Sequence, residues 1–180
     1  MKNNTLTLVA AFALLVSVAA QAAGADAIVE ANRLLRVTSL GQKFESVAQQ
    51  QTRDILRTYS SIVSMSTAVS LPTTLKQAIA ECYAEAYAWK NFEPGIARIL
   101  AENLSRKEIR LLIDFYRDLG LPPMEIQAFK DTIAKADQIV QISSEYILSN
   151  SVGCVDRDTT LILNYLTKLN SGIALTIGTE

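Results

Sequence analysis

The chain has 180 residues, 49% of them apolar and 19% charged, with 17 basic against 18 acidic side chains and a formal net charge of −1. That length suits one domain with a real core, and only 7 glycines and 4 prolines argue against disorder, collagen-like repeats and linker-rich arrays. The near-neutral balance supplies no long-range field for nucleic acid or anionic lipid, and zero histidine removes Ser-His and Cys-His nucleophile systems and every His-ligated metal or haem site.

The first residues read as a secretory signal. Lys2 gives a positive start, and Leu6 to Ala20 is an apolar run broken only by Thr7 and Ser17. A spanning helix needs about 20 apolar residues, so the run is too short for an anchor and fits an h-region. Ala20-Gln21-Ala22 and Ala23-Gly24-Ala25 are small-x-small sites; the first predicts a signal peptide over 1–22 and cleavage before Ala23. The destination is then periplasmic or secreted. No transmembrane segment is expected in the mature chain, whose helical domain runs over 23–170 with a C-terminal tail over 171–180. Cys82 and Cys154, one pair in an oxidising space, permit a single intramolecular disulfide; two reduced, buried cysteines are the alternative.

Helical spacing dominates the remainder. Ile28, Leu34 and Leu35 open a short helix, and Gly41 weakens a second run carrying Leu40, Phe44, Val47, Ile55 and Leu56. The serine-rich stretch 60–72 reads either as an extension of that helix or as a connection ending at Pro72. Thr73 or Thr74 then predicts an N-cap, followed by Leu75, Ile79, Cys82, Tyr83 and Ala86 on one face. Asn91 to Gly95 interrupts the pattern at Pro94, and Ile96, Ile99 and Leu100 resume it for about two turns.

Ser105-Arg106-Lys107-Glu108 is a capping box, in which the serine accepts from the Glu108 N–H and the Glu108 carboxylate returns to the Ser105 N–H. Behind it, Ile109, Leu112, Ile113 and Tyr116 form one apolar stripe and Leu111 and Phe115 a neighbouring one, the pattern of a central helix. Arg110 and Asp114 form an i,i+4 pair on the polar face. Gly120 is the expected left-handed helix stop before Pro122-Pro123. A long helix is predicted from Pro123 to about Leu148 on Ile126, Phe129, Ile133, Val140 and Ile147. A final helix, capped by Asp156 or Asp158, carries Ile162, Tyr165, Leu166 and Leu169. The result is an all-α, single-domain bundle of five to seven helices.

The segment Leu104 to Tyr116, followed by Gly120, resembles the signature of the DUF2059 family of exported bacterial domains. Ser105, Glu108, Leu112, Ile113, Phe115, Tyr116 and Gly120 match its pattern over a DUF2059-like segment of about residues 90–150. Leu104 stands where the family has an aromatic residue, and Leu119 to Pro123 departs from its helix-ending turn. The resemblance implies an all-helical periplasmic domain and no known activity, and adds no catalytic residue.

Chemistry-bearing patterns are sparse. Asp156-Arg157-Asp158 has no further acidic ligand behind it and reads as helix capping, not cation binding. No phosphate-cradling glycine loop occurs. Glu45-Ser46 resembles a Glu-Ser catalytic turn, but an ordinary helix continues through Val47 to Gln51; Glu81 and Glu85 read as a solvated face. Tyr83, Tyr87, Trp89 and Phe92 form an aromatic cluster. Tyr87, Trp89 and Phe92 are its candidate interaction surface, and core packing with a helix-end plug is the other reading. These patterns leave no catalytic, metal or cofactor-binding residue, and so no cofactor and no enzyme. The leading expectation is a non-enzymatic exported module that self-associates or binds another envelope protein. The alternative is a carrier for a small apolar or lipid-like ligand between helices. A filled core favours the first, and an apolar cavity of more than a few hundred Å³ the second.

Overall fold

The computed structural model describes residues 24–151 and 153–177, with backbone alone over 172–177. The signal-peptide reading over 1–22, its cleavage before Ala23, and the end of the tail lie outside the described residues. The chain is the all-α bundle expected of it, and no strand occurs among the described residues. Its helices gather into two compact units, interleaved along the chain: residues up to 41 with 92–149, and residues 42–91 with those from 150 onward.

The first unit holds α1 (24–37), α4 (Glu93–Asn103), α5 (Arg106–Tyr116), α6 (Ile126–Ile133) and α7 (Ala136–Asn150); the second holds most of α2 (Leu40–Thr67), α3 (Thr73–Ala86) and α8 (Val155–Ile177). In the first unit, α1 buries Ala31, Leu34 and Leu35, a three-and-four spacing that makes one face. Glu30 beside them is buried too, and its Oε1 accepts from Arg110 Nε (3.0 Å) and Nη2 (2.9 Å) on α5, while Asp26 pairs with Arg106 at 3.0 Å. Arg110 therefore reaches across to α1 and not along its own helix to Asp114.

Pro94 starts a helix where the sequence suggested a break. It occupies the first turn of α4, where its missing N–H would have no intrahelical partner anyway. The capping box of α5 is formed on both sides: Glu108 N–H donates to Ser105 Oγ (3.3 Å), and Ser105 N–H to Glu108 Oε2 (2.7 Å). Ile109, Leu111 and Ile113 are buried as a central helix requires, and Leu112 partly so, but Phe115 and Tyr116 lie outside that core, Tyr116 with 52% of its surface exposed. The left-handed stop falls on Asp118 (φ 55°), not Gly120. Asp118 N–H bonds to Phe115 O and Leu119 N–H to Asp114 O, both at 3.1 Å, a Schellman motif; Gly120 (φ 73°) takes the same region two residues on.

The long helix predicted from Pro123 to about Leu148 is instead a 3₁₀ turn, Pro123–Glu125, followed by α6 and α7. The break at Ala134 and Lys135 has local causes. Thr132 is buried and returns its hydroxyl to Ala128 O (2.8 Å), Lys135 N–H moves to Thr132 O (3.2 Å), and the Lys135 ammonium reaches Glu108 Oε1 at 2.7 Å.

In the second unit, the longest helix is α2, with 28 residues. It runs through the serine-rich stretch, where Ser60, Ser66 and Thr67 satisfy their hydroxyls on the carbonyls of Leu56, Ile62 and Val63 at 2.7–2.8 Å. Residues 68–72 are the connection. The N-cap of α3 is Pro72, and neither Thr73 nor Thr74 caps it. Val63, Leu71, Ile79, Tyr83 and Cys154 form the core, with Leu56, Tyr59, Leu75, Ile162 and Tyr165 packed on it. Cys82 and Cys154 are joined, with Cα atoms 6.1 Å apart across 72 residues, which fastens the start of α8 to α3. Cys154, not Cys82, is the better buried half.

Candidate functional site

The α2 and α3 helices of the second unit leave a groove of about 460 Å³ between them. Its α3 side is Ala80, Tyr83 and Ala84, continued past the helix end by Tyr87 and Ala88; the small side chains keep this surface low and leave the two rings standing as walls. From α2 come Ala48 and Leu56, with Glu45, Gln49, Thr52 and Arg53 as its polar members. Tyr83 and Tyr87 stack nearly parallel, 9° apart with centroids at 6.4 Å. Glu45 closes one end by accepting the Trp89 N–H at 3.2 Å, and Phe44 tilts against the Trp89 ring at 5.6 Å.

Next to the groove lies a polar cluster. Asp158, in the first turn of α8, is fully buried, and its carboxylate oxygens make no well-aligned hydrogen bond, although the Tyr59 and Tyr83 hydroxyls lie close enough to favour its charged form. Tyr59 from α2 and Tyr83 from α3 face it. Burial holds its carboxyl above the ordinary carboxylate range, against the opposing influence of the Tyr83 and Tyr59 hydroxyls and of the Arg157 charge. The Tyr83 hydroxyl is pushed up in turn, by burial first and then by Tyr59 and Asp158. The group offers proton uptake and hydrogen bonding.

A second cleft, of about 630 Å³, opens beside the disulfide and is lined by Cys82, Lys90, Asn91, Asn150, Gly153 and Arg157 among others. Asn91 is tied down by its own Nδ2, which donates to Glu85 O at 2.9 Å. In the first unit, Glu108 is the acid with a shifted pKa. Burial raises it, but the Lys135 ammonium and the Ser105 N–H and hydroxyl outweigh burial and hold it below the ordinary range.

The aromatic residues singled out from sequence do not form one surface. Tyr87 lines the groove and Trp89 packs half-buried on Phe44, but Phe92 is 0% exposed and packs edge-on to Tyr146 in the core of the first unit, at 6.5 Å and 89°. The chain turns from one unit to the other between Asn91 and Phe92, so neighbours in sequence enter different cores. Asp156 and Asp158 are not caps: α8 already begins at Val155, which places both in its first turn. Asp158 had a legible signal, since it lies three, four and seven residues before Leu161, Ile162 and Tyr165, on the apolar side of the helix. Glu81 accepts from Gln77 at 3.0 Å on an exposed face, and Glu85 is exposed. No group of three or more Cys, Asp or Glu among the described residues is placed to hold a metal ion, and no described helix is long and apolar enough to cross a membrane. The chain matches no protein-family model, no curated protein and no solved structure.

Proposed function

We propose that the protein is an exported, non-enzymatic helical binding module, and that the α2–α3 groove holds a small apolar ligand. The observation carrying this is the groove itself: its volume of about 460 Å³ falls within the roughly 300–1,000 Å³ usual for ligand pockets, and its walls are alanine and tyrosine with polar groups confined to one side. The disulfide supports an oxidising, periplasmic or secreted destination, to which the N-terminal signal also points. The resemblance of Leu104 to Tyr116 to the DUF2059 signature is part of the same reading.

The reading of the module as a partner-binding or self-associating protein rests on a different surface. In the first unit, the end of α5 and the turn into α6 expose Phe115, Tyr116, Leu119, Met124 and Ile126, Met124 by 90%. Phe115 packs on Phe129 at 4.8 Å and on Tyr116 at 5.6 Å, so the patch is pre-assembled, and exposed aromatic clusters of this kind mark interaction sites.

Native mass spectrometry of protein purified from the cell envelope tests both. The carrier reading expects a retained small-molecule mass that disappears in Ala84→Trp. The partner reading expects a second protein or a second copy that is lost in a Tyr116→Asp/Met124→Asp double variant. A bare monomer in every preparation overturns both.

A further inference from the structure

Asp158 is a fully buried acid whose oxygens make no well-aligned hydrogen bond. The titratable and charged groups that face it are Tyr59 from α2, Tyr83 from α3 and, on its own helix, Arg157. An ionised carboxylate is disfavoured in such a place, and the Tyr59 and Tyr83 hydroxyls only partly offset its burial. Cys154 is bonded to Cys82, the residue before Tyr83, and the Asp158 N–H donates to Cys154 O at 2.9 Å, so the disulfide restrains the first turn of α8 from swinging its acid out to solvent. Uptake of a proton from solvent onto one carboxylate oxygen needs no such movement. It breaks no other bond, and the neutral acid gains a donor that can point to a phenol oxygen of Tyr59 or Tyr83.

Tyr83 belongs to both structures. Its ring lines the groove and stacks on Tyr87, while its hydroxyl faces Asp158. We propose that occupancy of the α2–α3 groove is coupled through Tyr83 to protonation of Asp158, so that an uncharged apolar ligand binds more tightly when Asp158 is neutral. This rests on the groove being a ligand site. An apolar occupant displaces water from beside the Tyr83 ring and lowers the local dielectric, which disfavours the charged acid. Coupling is reciprocal, so protonation favours the occupant. The burial that already raises the acid moves the transition above the ordinary carboxylate range. The ligand class follows from the walls: Ala48, Ala80, Ala84 and two tyrosines suit an uncharged ring or short chain, and offer no charged partner except Glu45 and Arg53.

The test titrates N-phenyl-1-naphthylamine, an uncharged fluorescent apolar probe, into the intact disulfide-bonded protein from about pH 8 down to about pH 5. Wild type should bind about three- to tenfold more tightly at the acid end. Asp158→Asn should bind with the acid-form affinity at every pH. Tyr83→Phe, which keeps the ring and loses the hydroxyl, should bind with a flattened profile, and its folding is checked by far-UV circular dichroism. Glu81→Gln, on the exposed side of α3 outside the groove, should keep the wild-type slope. A wild-type slope retained in both Asp158→Asn and Tyr83→Phe, or one lost in Glu81→Gln, overturns the coupling while leaving the carrier reading in place. Probe binding that survives Ala84→Trp, or no binding at any pH, overturns the groove as ligand site, and the coupling with it.

Discussion

Single residues decide much of the first unit. Gly95 on α4 has the Tyr146 ring where a Cβ would stand, so glycine is required there for close approach and not for an unusual backbone angle. Gly95→Ala must displace that ring from the buried Phe92, and should cost about 1–3 kcal/mol in urea unfolding. Ile109 and Tyr116, seven residues apart on the same predicted stripe, should behave differently. Ile109→Ala, at a fully buried site, should cost about 2–5 kcal/mol, whereas Tyr116→Ala, half exposed at the helix end, should cost well under that. Equal losses for the two would mean that the Tyr116 end of α5 is covered in solution. Asp118 holds a left-handed angle that glycine adopts without penalty, so Asp118→Gly should be neutral or stabilising by up to about 1 kcal/mol.

At the scale of elements, two clasps hold the bundle. The first is the junction of α5 with the α6–α7 break, where Glu108 serves both its own capping box and Lys135. Because the folded carboxyl is held below its ordinary range, its stabilisation is complete above that range and is lost as pH falls through the lowered value. Acid melts should therefore show a loss of stability that Glu108→Gln does not show, and Ser105→Ala should cost about 1 kcal/mol at neutral pH through loss of the cap. Asp158 has the opposite sign: its folded pKa is raised, so its contribution improves as pH falls toward the ordinary carboxylate range. The second clasp is the Cys82–Cys154 bond. It closes 72 residues, so reduction or a double Ser substitution should lower stability by about 3–4 kcal/mol while leaving helix content intact at low temperature. Thiol counting on denatured, unreduced, exported protein should find none free.

For the molecule as a whole, the intact mass of exported protein should correspond to a chain beginning at Ala23; retention of residues 1–22 would count against the exported reading. The sequence by itself determined the helical class, the capping box, the partners available to the disulfide and the absence of histidine chemistry, because each depends on residue type and on spacing within a few turns. Helical periodicity is a local property, and so is a serine three residues before a glutamate. What only the tertiary structure decided is where those faces went. Phe92 and Tyr87 are five residues apart, yet one enters the core of the first unit and the other a groove wall in the second, because the chain changes unit between them. Arg110 chose Glu30, 80 residues away, over Asp114 one turn along, since a buried carboxylate gains more from two guanidinium hydrogen bonds than a half-buried one does. The split of the predicted long helix at Lys135 follows from a partner on α5 that spacing within the segment cannot reveal. Asp158 carries the same lesson. Its place on the apolar side of α8 was readable, but that two tyrosines from other helices and a disulfide would enclose it completely depended on packing between segments about 75 and 100 residues apart, where local pattern carries no information.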